Sequence, residues 1–135
     1  MLGLDPNEAI VFRNPGGRVA PDFLRSLAVI ATVAAVDDLP TGFELILMQH
    51  TDCGLSHLSP HAHADVLSSF FGVEVAEVTA LHIGDPYRAV RSDVEQLRSN
   101  PMLPRSLVVS GLVYDVDTGL VETVMPPAPL GATPS

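Results

Sequence analysis

Residues 43–57 read FELILMQHTDCGLSH, a run from Phe43 to Met48 that is apolar but for Glu44 and gives way at Gln49 to a polar turn. A run this short, without polar alternation, is the pattern of a strand covered on both faces, and such strands belong to parallel sheets flanked by helices. Its end carries chemistry. His50 and Cys53, the chain's one cysteine, stand two residues apart across the strand-to-turn transition. Imidazole and thiolate both bind zinc well, and open α/β sheets place their ligands at the carboxyl ends of strands. Alone the pair is a weak signal: two donors do not hold zinc, and a core cysteine beside a surface histidine is the plainer account.

The flanks extend the pattern. AIVF, Ala9 to Phe12, predicts a short strand that stops at RNPGG, Arg13 to Gly17. Glycines there let the backbone approach a ligand or another segment closely, although a simple turn accounts for them too. Asp22 is placed to cap a helix over 23–36 with Leu24, Leu27, Ile30 and Val33 or Ala34 on one face. DDLPTG, Asp37 to Gly42, reads as a turn. After Gly54 the spacing predicts a helical turn, then a helix over 59–72 capped by Ser59 and opened by Pro60. Val78 to Ile83 is balanced between strand and loop. Asp85 and Pro86 open a helix to Asn100 whose Val90, Val94 and Leu97 share a face. Segments 106–116 and 120–125 flank DTG as a strand pair with a tight turn. The Pro-rich residues 126–135 are expected to be disordered, leaving 1–125 as one domain. Strands alternating with helices give an α/β fold: a central, mostly parallel sheet flanked by helices, with an antiparallel edge strand.

Composition narrows the function classes. Acidic residues outnumber basic ones by 16 to 7 in 135 residues, for a net charge of −9, and all seven basic residues are arginines. Such a chain repels phosphate backbones and anionic lipid, so neither nucleic acid nor a membrane is an expected partner. A single cysteine excludes an intrachain disulfide, and LAVIATVAAV, Leu27 to Val36, is about half of a bilayer span. The expected setting is soluble and cytoplasmic. That same stretch is more apolar than one exposed helix should be, which points to a homodimer or higher oligomer.

FRNPGGRV, a helix, and a strand ending in HTDCG together resemble the β-class carbonic anhydrases, in which RNAGGxV, a helix and a strand ending in HTDCG occur in this order and spacing. DPYRAVRSDVEQLRSNPMLPRSLVVSGLVYDVDTGLVETV is similar to that family's closing helix, central strand and edge strand. The resemblance implies zinc held by two cysteines and a histidine, with the histidine and second cysteine falling on His50 and Cys53. It implies hydration of CO2 to bicarbonate through zinc-activated water. Asp52 is counted with His50 in the catalytic set, its implied part being to accept backbone hydrogen bonds and not to act as general base. Asn14, Gly16, Gly17 and Gly54 complete the implied pocket for a small molecule or anion such as CO2 or bicarbonate, and Arg13 and Arg18 would hold loops or a subunit contact.

The chain also departs from the family pattern. MLGLDPNEA matches the segment just past the family's Cys-x-Asp-x-Arg motif, so the first zinc ligand, the Asp–Arg dyad and the strand carrying them are absent from it. Pro15 replaces the usual alanine of RNxGG and removes a backbone N–H. A sheet lacking that interior strand must repack, recruit a strand, or belong to a longer chain. His57, one helical turn beyond Cys53, is the nearest substitute ligand, with His61 and His63 further off. Three readings are open: a zinc enzyme acting on CO2 or a related small electrophile; a non-catalytic dimeric homologue with a small-anion pocket; and a metal-independent lyase or hydrolase using Cys53 or His50 as nucleophile or base.

Overall fold

The computed structural model describes residues 3, 5, 9–37 and 44–132. Of the turn expected over 37–42 only Asp37 is described; residues 38–42 and the first residue of the strand expected from Phe43 lie outside these. Helix α1, Pro21–Val36, begins two residues earlier than capping by Asp22 would have it, with Ala20 at the cap position. Pro21 sits in its first turn, where a missing N–H costs nothing, and Asp22 Oδ1 instead accepts from the Phe23 amide at 2.8 Å.

Strand β1, Glu44–His50, is followed by a 3-10 turn over Gly54–His57, the expected helical turn. Helix α2 covers only Ala64–Phe71. Ser59 caps a preceding turn, its Oγ accepting from the amides of His61 and Ala62 at 3.2 and 3.1 Å, and the helix forms beyond it. Residues expected as strand or loop carry a short helix, α3, Val78–Leu81, which continues the 3-10 turn Val75–Glu77. Glu74 and Glu77 form a reciprocal capping box there, and Val78 is wholly buried against Leu67 and Phe71.

Helix α4, Pro86–Arg98, follows its expected plan, with Asp85 accepting from the Tyr87 amide at 3.0 Å. Val90, Val94 and Leu97 are all buried against the sheet. Strands β2, Val108–Tyr114, and β3, Val121–Pro129, close the fold in the order β1-β2-β3. β1 runs parallel to β2 and β3 antiparallel to it. This is the expected α/β architecture with an antiparallel edge strand.

Three further expectations are corrected. Ala9–Phe12 forms no strand; Ile10 and Val11 stand 78% and 69% exposed, because an extended segment without a ladder partner has nothing to hold it in a sheet. β1 is covered on one face only, burying Leu47 and Gln49 while Ile46 stays 41% exposed. The tail from residue 126 is not disordered throughout: β3 continues to Pro129, and Leu130 buries its side chain in the core while its amide donates to the Leu107 carbonyl at 2.9 Å. Prolines are tolerated there because β3 is an edge strand.

Candidate functional site

The carboxyl end of β1 is tied to β2 and to the turn that follows it. His50 is paired with Tyr114, the Thr51 amide donates to the Tyr114 carbonyl at 3.0 Å, and the Val116 amide donates to Thr51 Oγ1 at 3.0 Å. His50 Nδ1 lies 2.7 Å from the Thr51 carbonyl. A carbonyl can only accept, so Nδ1 carries a proton, and in the neutral ring Nε2 then presents the lone pair. Asp52 then adopts φ 52°, a left-handed conformation unusual outside glycine though least costly for Asp and Asn. That reversal starts the 3-10 turn, where the Ser56 amide and hydroxyl both donate to the Cys53 carbonyl at 3.0 and 2.6 Å.

The Asn14–Gly17 loop closes on this end from the other side. Asn14 Oδ1 accepts from the Arg18 amide at 3.0 Å, and its Nδ2 donates to the Arg18 carbonyl at 2.8 Å. Gly16 and Gly17 take φ 75° and 60°. A Cβ on Gly17 would stand 2.5 Å from the Met48 carbonyl oxygen, and one on Gly16 would stand 2.6 Å from Leu55 Cδ2. The two glycines are therefore required by left-handed backbone and by close approach together.

Behind the loop lies a buried polar network. Arg18 is 3% exposed and Asp93 0%. Arg18 Nε donates to Asp93 Oδ2 at 2.8 Å and its NH2 group to Oδ1 at 3.1 Å, a bidentate pair. Its third bond runs from NH1 to the Leu81 carbonyl at 2.6 Å. Asp93 Oδ2 also accepts from the Val19 amide at 3.0 Å and from Gln49 Nε2 at 3.1 Å. The guanidinium carbon lies 5.1 Å from the Phe71 ring centroid, within cation–π range. One carboxylate thus joins α4, β1 and the loop into α1, while the guanidinium reaches α3 and α2.

These pieces border a partly open cavity of about 20 Å³, lined by Gly16, Arg18, Gln49, His50, Cys53 and Ser56 and by Leu55, Ile83, Gly84 and Pro86. That volume is on the scale of one or two water-sized molecules. His82, not singled out by its sequence context, places Nε2 2.9 Å from the Leu55 carbonyl and holds the wall. Of the residues expected from the sequence, Gly16, His50 and Cys53 line the cavity; Asn14, Gly17, Asp52 and Gly54 are not among its lining residues. Arg13 is exposed, and Arg18 holds the loop by charge-assisted bonds. Sequence reasoning missed Asp93 and Gln49. Asp93 did carry a signal, a carboxylate between Val90 and Val94 on the apolar face of α4.

The expected substitute ligands do not assemble. His57 Nε2 lies 3.5 Å from Asp52 Oδ1, with both side chains well exposed at 68% and 76%. His61 and His63 lie on the turn before α2, where His63 Nδ1 accepts from the Ser59 amide at 2.9 Å. Among the described residues no group of three or more His, Cys, Asp or Glu side chains could hold a metal ion. His50 and Cys53 are thus two donors where a zinc site needs at least three from protein, and the described residues do not fit that ion by themselves.

No protein-family model matches the chain. β-Carbonic anhydrase 1 of Mycobacterium tuberculosis is 29% identical over 126 residues, which cover 93% of this chain and 73% of the relative. Carbon disulfide hydrolase of an Acidianus species is 26% identical over 141 residues, covering 87% and 66%. Among solved structures, the carbonic anhydrase of Streptococcus mutans superposes with a TM-score of 0.65 at 32% identity, over 91% of this chain and 70% of that one. One of two tetrameric β-carbonic anhydrases of Sordaria macrospora shares the fold with a TM-score of 0.59 at 22% identity, over 94% and 73%.

Proposed function

We propose, for a chain that belongs to the β-carbonic anhydrase family, that the pocket between the Asn14–Gly17 loop and the end of β1 receives a small electrophile of the CO2 class and adds water to it. The observation that carries this reading is His50, which lines the small cavity and whose Nδ1 is committed to the Thr51 carbonyl, so that the neutral ring keeps Nε2 as its acceptor. The names of the relatives support the substrate class, since CO2 and carbon disulfide are both linear molecules with an electrophilic carbon. In the reaction, the oxygen of a water molecule bonds to the carbon and one C=O pair moves onto the substrate oxygen. His50 Nε2 takes the water proton and later returns it to solvent, and bicarbonate leaves. Gly16 and Gly17 keep the loop close enough to shape the cavity, and Gln49 and Arg18 form its polar wall.

A zinc-dependent form of the reaction is the finer reading; there the His50 Nε2 lone pair would serve as a ligand and not as the base, and the site requires a donor beyond His50 and Cys53, from outside the described residues or from a second chain. Zinc per chain in protein purified without added metal tests it, beside a Cys53→Ala control. About one equivalent, lost in the control, supports a completed site; none in either sample rejects it.

Self-association belongs to the same proposal. Val29, Val33 and Val36 form an exposed apolar stripe on α1, a helix that buries only Leu27, and a second copy of this chain is the partner we assign to it. A cytoplasmic setting accords with Cys53 as a free thiol. No described helix is long and apolar enough to cross a membrane.

A further inference from the structure

We infer that Asp93 sets the charge of this pocket, so that it admits an uncharged molecule and turns anions away. The inference rests on the pocket assigned above and adds the selection it makes. Among the described residues, Arg18 is the one permanently charged side chain on the cavity wall. Left unpaired, a guanidinium on the wall of so small a cavity would be an anion site. It is not left unpaired. Asp93, 0% exposed and behind the wall, takes two of its N–H groups, and the Leu81 carbonyl takes a third. The carboxylate is oriented for this by two more donors, the Val19 amide and Gln49 Nε2. The positive charge is thereby cancelled at hydrogen-bond distance, where an incoming anion would have to compete with a bidentate carboxylate already in place. A neutral electrophile meets no such competition. Bicarbonate, the anion that hydration makes, finds no compensating charge and is released.

The test uses the full chain labelled with 15N, at constant ionic strength. Sodium bicarbonate and carbon disulfide are titrated separately while the Arg18 side-chain N–H and the Gly16 and Cys53 amides are followed. For the wild type the expected result is saturable shifts with carbon disulfide and none with bicarbonate. Asp93→Asn leaves Arg18 uncompensated, and it should gain saturable bicarbonate binding roughly tenfold or more tighter than the wild type, with a melting temperature that rises as bicarbonate is added. Asp93→Glu, which keeps the charge, should behave as the wild type. Saturable bicarbonate binding at Arg18 in the wild type overturns the inference, as does a folded Asp93→Asn protein that binds bicarbonate no more tightly. Should Asp93→Asn not fold, the wild-type titration decides alone. Silence towards carbon disulfide at Cys53 and Gly16, with bicarbonate gained in Asp93→Asn, would uphold the charge assignment and reject the pocket's proposed substrate instead.

Discussion

Arg18 looks in sequence like any arginine after a turn, and folding buries all but 3% of it. Its partner lies 75 residues away, so no local pattern could pair them. The RNPGG glycines, by contrast, were legible, because left-handed backbone and close approach both leave glycine as their mark. Breaking the pair from one side should be costly: Arg18→Ala strands a buried carboxylate and should lower the unfolding free energy by about 3–5 kcal/mol in urea titration. Replacing both partners by apolar residues, Arg18→Met with Asp93→Leu, should cost far less. Gly17→Ala should lose about 1–3 kcal/mol through its left-handed φ alone, and more through the Met48 carbonyl. Tyr87 adds a pH dependence. Desolvation against the core, then the carboxylates of Glu122, Asp115 and Asp85, hold its phenol above the ordinary 10.0. The folded state keeps that proton longer than the unfolded one, so the contribution is present below pH 10.0 and lost as pH rises through the raised value. Tyr87→Phe should therefore flatten the alkaline decline in melting temperature.

Elements were readable where one of their own faces decides them. α4 announces itself by a cap, a proline and an apolar face, and the β2–β3 pair by its turn. Residues 9–12 have strand composition but no ladder, and 126–130 have tail composition but a place beside β2 and in the core. Both outcomes depend on neighbours that local sequence does not specify. β1 is an edge strand among the described residues, so its outward amides should exchange with deuterium faster than those of β2, which is bonded on both sides. Equal protection along both strands would mean that another strand covers β1. On α1, Val33→Asp should shift the oligomer towards monomer in analytical ultracentrifugation without unfolding the chain, since Val33 is 48% exposed. An unchanged sedimentation profile would remove α1 from the contact.

At the scale of the whole molecule, the sheet and α4 bring the Asn14–Gly17 loop, the end of β1 and α3 to one point, and the site is that junction. His50 and Cys53 could be singled out from spacing and from resemblance to the family, but their wall could not, because Gln49, Asp93 and His82 act only through the tertiary fold. The proposed chemistry stands or falls on His50 Nε2 as the base for adding water to CO2. Stopped-flow hydration of CO2 by the wild type and by His50→Ala decides it, with folding of both verified by circular dichroism. Hydration by the wild type should exceed the buffer background and fall roughly 100-fold or more in His50→Ala, the scale of a lost general base. A wild-type rate no greater than that of a folded His50→Ala protein would contradict the assignment.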